Sequence, residues 1–135
     1  EEAVKQLAQS QAKLENLIGG GYDVNTISIP YGEYPNNESI LLSGQYEDID
    51  YSYSAALALG VTPSASPFST EFDPMRIPRI RGSENFLVNA IQKFKDEPGL
   101  RYISDGDPTT VSAPAELASG LGDLSDDLGR PVVRY

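Results

Sequence analysis

The chain has 135 residues, with 20 acidic and 10 basic side chains that give a formal net charge of −10. A length of this order suits one domain with its own core, and the negative charge argues against nucleic acid or an anionic membrane surface as a partner, because phosphates are bound mainly through clustered Lys and Arg. The sequence contains no Cys and no His, which excludes disulfides, thiolate nucleophiles and the commonest zinc ligand and general base.

The first predicted element is a helix over residues 1–18. Apolar residues recur there at spacings of three and four, which is the pattern of one helical face, and three glycines then stop the helix. We name this face the packing stripe, and its members are Val4, Leu7, Leu14 and Ile18. No N-cap residue stands before Glu1, so we interpret 1–18 as the C-terminal half of a longer helix. We expect the stripe to dock on a sheet of the same domain, so that Leu14→Asp unfolds it.

The middle of the chain predicts short elements separated by loops. Alternation over 24–29 is typical of a half-buried strand. Residues 51–59 fit a short helix closed by Gly60, and they fit a strand nearly as well, because apolar side chains alternate there. Four prolines between 61 and 78 predict a surface loop, since proline interrupts both helices and sheets.

The second predicted helix covers 84–95, with Ser83 as its N-cap and apolar residues at helical spacing. Further elements are expected as strands at 100–103, 109–111 and 131–135 and as a brief helix at 115–118. The order of the elements predicts an α+β domain over residues 1–135, in which the long N-terminal amphipathic helix packs on a mostly antiparallel sheet.

Charge is distributed unevenly along the chain. Residues 1–75 carry a net charge of −9, residues 76–101 carry +3 and residues 102–135 carry −4. The basic side chains of the middle segment are Arg76, Arg79, Arg81, Lys93, Lys95 and Arg101. If these form a patch, it would suit the acidic surface of a second copy, and such a head-to-tail contact propagates into a filament. The alternative is that these charges pair within the subunit or stay solvated.

Tyrosines are concentrated between residues 22 and 53. Tyrosine is favoured where a surface contacts a partner, because it joins a large apolar ring to a polar end. The candidates for surface recognition are Tyr31, Tyr34, Tyr46, Tyr51 and Tyr53. The alternative is that they are ordinary strand residues packed on the first helix.

Two acidic clusters, 47–50 and 105–107, offer carboxylates of the kind that calcium prefers. Neither has the spacing of an EF-hand loop, so we interpret both as solvated turns. A pair of carboxylates suited to glycoside hydrolysis arises by chance among twenty acidic residues, and no motif selects one. We therefore predict no metal site, no cofactor and no enzymatic activity.

Several features of the first half of the chain occur together. A heptad-like first helix has a glycine-rich exit, followed by the segment from Tyr31 to Pro35, an Ala-Leu-rich stretch at 55–60 and the dipeptide Pro67-Phe68. This combination resembles the globular part of type IV pilins, particularly the type IVb group, mainly over residues 1–75.

The pilin resemblance implies a structural subunit of an extracellular filament or secretion-type assembly, located at the cell surface or in the periplasm. Its partners would be further copies of itself or other assembly proteins, and a hydrophobic half-helix preceding the chain would anchor it in the membrane before assembly. The competing hypothesis is a soluble, non-enzymatic binding or adaptor domain of a phage or cell-envelope assembly. In that case the first helix would form a coiled coil with a partner.

Overall fold

The computed structural model describes residues 1–101, 103–115 and 123–135. It contains two helices and seven short strands in these ranges, which confirms the α+β class. The chain divides into two compact units. That residues 1–135 form one domain stays a prediction. The first unit comprises Glu1–Leu59 and Pro74–Ile77, and the second comprises Gly60–Asp73 and Pro78–Tyr135.

Helix α1 spans Glu2–Ile18 and ends at Gly19, which has φ of 70°. Glycine adopts this positive φ readily because it has no Cβ, so the first of the three glycines ends the helix as predicted. Helix α1 contacts strands β2, Ser43–Tyr46, and β3, Ile49–Ser52. These two strands form an antiparallel hairpin, which is the surface on which α1 packs.

The hairpin contains a close approach between a glycine and a tyrosine ring. Gly44 and Tyr51 are directly opposite each other, and a Cβ added at Gly44 would lie 2.6 Å from the Tyr51 hydroxyl oxygen. Any larger residue would displace the tyrosine, which is itself buried. The core of the first unit consists of seven buried residues: Leu7, Ala8, Ile29, Leu41, Tyr51, Tyr53 and Ala56.

The prediction of a mostly antiparallel sheet is not confirmed. Strand β1, Thr26–Ser28, pairs in parallel with β4, Ala55–Gly60. Strand β5, Ile77–Ile80, begins with the last residue of the first unit. Alternation of side chains identifies a strand but not its direction, which depends on the path of the chain between the two strands.

The second unit contains α2, Glu84–Asp96, which extends one residue beyond the predicted 84–95. Ser83 precedes α2 with extended backbone, but within the described residues its side chain makes no capping hydrogen bond. Strands β6, Val111–Ala113, and β7, Val132–Arg134, form a parallel pair. Among the described residues of this unit, the buried ones are Ser66, Ser69, Ala90, Val111, Ala113 and Pro114.

Three of the smaller predicted elements need correction or lie outside the description. The helix alternative for 51–59 is wrong, because this stretch contributes to β3 and β4. Gly60 therefore ends a strand, and a Cβ there would lie 2.4 Å from the Cβ of Pro78. The strand expected at 100–103 is absent from the described residues, where a 3₁₀ turn ends at Leu100. Most of the brief helix expected at 115–118 falls outside the described residues.

Candidate functional site

The packed face of α1 differs from the predicted stripe in its second half. Val4 is half-buried and Leu7 is buried, as expected for docking. However, Leu14 is 46% exposed and Ile18 is 55% exposed. This corrects the prediction for both residues, and the polar side chain of Gln11 is buried instead.

Gln11 is buried because the neighbouring backbone supplies its hydrogen-bond partners. Its Nε2 donates to the carbonyl oxygens of Val24 and Ser52, at 2.5 and 2.7 Å, and its Oε1 accepts the Ser52 N–H at 3.1 Å. Glu15, one turn further on, accepts the Val24 N–H at 3.1 Å. Burial of a polar side chain is tolerated when its groups are bonded in this way. The inner face of α1 therefore runs through Leu7, Ala8, Gln11 and Glu15, and Leu14 lies at the edge of this face.

The C-terminal end of α1 carries an apolar cluster, which we define as Leu14, Leu17 and Ile18. Their exposed fractions are 46%, 73% and 55%. Residues three and four positions apart adjoin on a helix, so the three side chains lie next to one another. Exposed apolar groups scattered singly are ordinary, whereas a large contiguous patch marks a contact site for another molecule.

The five candidate tyrosines divide into buried and accessible groups. Tyr51 and Tyr53 belong to the core, where their hydroxyls donate to the carbonyl oxygens of Ile40 at 2.7 Å and Leu7 at 3.0 Å. Burial raises the pKa of both phenols, and at Tyr53 the nearby Tyr51 and Glu15 raise that pKa further. The surface-recognition role is therefore corrected for these two residues, which act in packing.

Tyr46 is half-buried beside the same core, with the Lys5 ammonium 5.9 Å from its ring centroid. Tyr34 is half-buried and Tyr31 is 85% exposed. Tyr31 and Tyr34 both line a groove of about 530 Å³ in the first unit. Of the five candidates, these two remain positioned for recognition.

We call this cavity the tyrosine groove. It is bounded by the N-terminal half of α1, by β1 and by the turn that follows β1. Its apolar walls include Leu7, Ile27 and Ile29. The lining also contains four ring-bearing residues, which are Pro30, Tyr31, Tyr34 and Pro35.

The ring of Tyr34 is held in place from two sides. Its hydroxyl donates to the Met75 carbonyl oxygen at 2.9 Å, and the Arg76 guanidinium carbon lies 4.3 Å from the ring centroid. Arg76 Nη2 also contacts both carboxylate oxygens of Glu38, at 2.5 and 2.6 Å. Arg76, which was a candidate for subunit contact, thus pairs within its own unit, as the alternative interpretation expected.

Tyr31 has an unusual backbone conformation, with φ of 56° and ψ of 3°. A bulky residue in this left-handed region costs about 1–3 kcal/mol, and such residues cluster at functional positions. With 85% of its surface exposed, the side chain gains little from burial that would offset this cost. No residue pattern around Tyr31 indicates this strain, although the adjacent Gly32, also at positive φ, marks a turn.

The other basic candidates lie in the second unit: Arg79, Arg81, Lys93, Lys95 and Arg101. Lys93 pairs with Glu97 across one turn of α2, at 3.0 Å. Lys95 and Arg101 line a second groove, of about 660 Å³, together with apolar residues of α2 such as Phe94. That the six basic residues form one patch stays a prediction.

One wall of the second groove is held by Tyr135. The hydroxyl of Tyr135 accepts the N–H of Ile103 at 2.5 Å and donates to the carbonyl oxygen of Arg101 at 2.6 Å. Ser112 on β6 donates to the Ile103 carbonyl oxygen. Sequence analysis missed this role for Tyr135, because the residues that it joins are distant along the chain.

The acidic residues 105 and 107 bond within their own turn. Asp105 accepts the Thr110 hydroxyl at 2.6 Å, and Asp107 accepts the Thr109 hydroxyl and N–H at 2.7 and 2.8 Å. These hydrogen bonds lower the pKa of both carboxyl groups, with the threonine hydroxyls as the largest cause. Within the described residues, no group of three or more acidic side chains has an arrangement that could hold a metal ion.

Neither helix of the described residues has the length and apolar character of a membrane span. Comparisons of this chain with protein-family models, curated proteins and solved structures gave no match. The functional argument therefore depends on the chain's own surfaces. In the first unit these are the apolar cluster at the C-terminal end of α1 and the tyrosine groove.

Proposed function

We propose that this chain is a structural subunit of an extracellular filament or secretion-type assembly, similar to a type IV pilin. It acts by self-association and surface presentation at the cell surface or in the periplasm, and it performs no catalysis. The observation that carries the proposal is the exposed apolar cluster of Leu14, Leu17 and Ile18.

A filament subunit needs a helix with two functional parts, because one part must hold the subunit together while the other contacts neighbours. The inner face of α1 is bonded to its own unit through Gln11. Burial of apolar surface contributes about 25 cal/mol per Å², so covering the apolar cluster at the end of α1 favours association by a few kcal/mol before the entropic cost of association. In this proposal α1 packs on an antiparallel surface of its own unit, which is the β2–β3 hairpin.

Sedimentation velocity over a series of protein concentrations tests this proposal. We expect the wild-type chain to form oligomers and the double variant Leu14→Ser/Leu17→Ser to sediment as a monomer. The matched control is Leu42→Ser, because Leu42 is 50% exposed in the same unit but lies outside α1. A wild-type chain that stays monomeric, or a double variant that associates as well as the control, contradicts the proposal.

The tyrosine groove favours a second function, that of a non-enzymatic binding or adaptor domain. A pocket of about 530 Å³ lies within the usual size range of ligand sites. The strained and exposed Tyr31 at its lining is typical of a recognition residue. In this function the chain binds another protein of the assembly. A monomeric wild-type chain with a groove that binds a partner would favour it over self-association.

A further inference from the structure

We propose that the tyrosine groove binds an extended, proline-rich peptide segment that carries Arg or Lys. The partner is thus a protein with an exposed proline-rich and basic stretch. This inference depends on the groove alone and is independent of self-association through α1.

The ring-bearing residues of the lining match the chemistry of proline recognition. Proline-rich segments adopt the polyproline II conformation before they bind, and they dock in grooves lined by aromatic rings. The tyrosine groove offers Tyr31 and Tyr34, flanked in sequence by Pro30 and Pro35. Flat tyrosine rings give proline rings large contact areas while their hydroxyls stay solvated or hydrogen-bonded.

Tyr34 supplies a fixed ring. Its position is set by the hydroxyl bond to Met75 and by the stacked guanidinium of Arg76. A ring that is already held in place loses little conformational entropy when a ligand packs beside it. The favourable free energy of the contact is therefore not offset by an entropic cost of ordering the ring.

Tyr31 supplies an accessible ring. Its left-handed backbone directs a large side chain outward at the lining of the groove, where 85% of its surface remains exposed. Glycine would adopt this backbone conformation without strain. A large side chain at such a strained position, without burial in its own fold, is typical of a residue that contacts a partner.

The charge of the groove selects a basic partner. Glu33 is the only charged residue of the described lining, which contains no Lys or Arg. Within the described residues, Glu33 has no ion-pair partner. The whole first unit holds nine acidic and three basic side chains. Complementary charge sets the choice of partner and speeds its association, so an Arg or Lys beside the prolines is favoured and an acidic segment is repelled.

Synthetic peptides test the proposal directly. We expect a fluorescently labelled Pro-Pro-Arg repeat to bind the full chain by fluorescence anisotropy. A Pro-Pro-Glu repeat of equal length tests charge, and a Gly-Ser-Arg repeat tests the need for proline. Each of these two comparison peptides is expected to bind at least about tenfold more weakly than Pro-Pro-Arg, which corresponds to the loss of one good contact. No binding of Pro-Pro-Arg, or equal binding of either comparison peptide, overturns the proposal.

Variants locate the binding site. Tyr31→Gly is expected to weaken binding of Pro-Pro-Arg by about tenfold, as for the loss of an aromatic anchor. The same change is expected to raise the melting temperature, since it relieves the backbone strain. The matched control is Tyr22→Gly, because Tyr22 is 58% exposed but lies outside the groove. Unchanged binding by Tyr31→Gly, or an equal loss in the control, overturns the assignment.

Two further measurements separate charge and self-association from docking. Glu33→Gln is expected to reduce the ratio of the affinities for Pro-Pro-Arg and Pro-Pro-Glu by about fivefold. A peptide of proline alone is expected to bind this variant with the same affinity as it binds the wild-type chain. The Leu14→Ser/Leu17→Ser variant is expected to bind Pro-Pro-Arg as tightly as wild type. Loss of peptide binding in that variant overturns the independence of the groove, whereas loss of oligomers alone bears only on the filament proposal.

Discussion

The middle of α1 and its last turn differ in a way that their hydropathy does not explain. The middle buries the polar Gln11, while the last turn leaves Leu14, Leu17 and Ile18 exposed. At about 100° per residue, the exposed Ile18 lies on nearly the same side of the helix as Gln11, so the difference is one of position along the helix axis. Backbone groups of Val24 and Ser52 lie opposite Gln11 and satisfy it. Whether a turn of a helical stripe packs is thus decided by the bonds that its neighbour offers as well as by its apolar area.

The strongest test of this comparison places the same charge at a packed turn and at an exposed turn of the stripe. Leu7→Asp is expected to lower the free energy of unfolding by more than about 4 kcal/mol, because it buries an unpaired carboxylate in the core. Leu14→Asp is expected to lower it by less than about 1 kcal/mol, since Leu14 is 46% exposed. Urea denaturation followed by circular dichroism measures both. Equal losses would refute the division of the helix into packed and exposed turns.

The second test removes the polar anchor of the inner face. Gln11→Ala is expected to lower the free energy of unfolding by about 1–2 kcal/mol, because it removes three part-buried hydrogen bonds to the backbone of Val24 and Ser52. Gln9 is exposed on the same helix, and Gln9→Ala should change stability by less than about 0.5 kcal/mol. The same urea titration measures the pair, and a Gln11 variant as stable as the Gln9 variant would contradict the role of the anchor.

The third test uses pH. Tyr53→Phe removes the hydrogen bond to the Leu7 carbonyl and should cost about 1 kcal/mol at neutral pH. Burial raises the pKa of Tyr53 above its ordinary value of 10.0, so its contribution is present below pH 10.0 and is lost as the pH rises through the folded-state pKa.

In alkaline solution the Tyr53→Phe variant should therefore lose stability less steeply than wild type. Thermal melts over a pH series that crosses 10.0 measure the slope. Tyr22→Phe is the control, because Tyr22 is exposed and should leave the slope unchanged. A Tyr53→Phe variant with the wild-type slope would show that this phenol does not contribute to the alkaline transition.

The smallest effect is expected at the end of the inner face. Glu15→Ala removes the carboxylate that accepts the Val24 N–H and should cost about 0.5–1 kcal/mol. Lys13→Ala, on an exposed position of the same helix, serves as the comparison and should be close to neutral. Hydrogen exchange of the Val24 amide provides the local readout, because this amide should exchange faster only in the Glu15 variant.

Local signals in the sequence were sufficient to place both helices. The apolar spacing and the glycine exit predicted α1, and the pattern over 84–95 predicted α2 to within one residue. The face of α1 was not predictable in full, because Leu14 fits the helical period as well as Leu7 does. Only the backbone atoms opposite Gln11, which are distant in sequence, decide between them.

The candidate site was predictable in composition but not in arrangement. The sequence singled out a cluster of tyrosines, and the fold then separated Tyr51 and Tyr53, in the core, from Tyr31 and Tyr34, at the groove. This separation depends on which strand each residue joins and on the parallel direction of β1 and β4. Neither is encoded in a local pattern of residue types.

The parallel pairing of β1 with β4 has a consequence for the order of folding. Thr26 pairs with Ala55, so the whole β2–β3 hairpin lies within the connection between the two strands. Hairpins form within microseconds from neighbouring residues, whereas a parallel pair must first close a long loop. We therefore expect the hairpin to form early and α1 to dock on it, with the β1–β4 pair closing last. The tyrosine groove, which has β1 as one wall, would then be completed only at the end of folding.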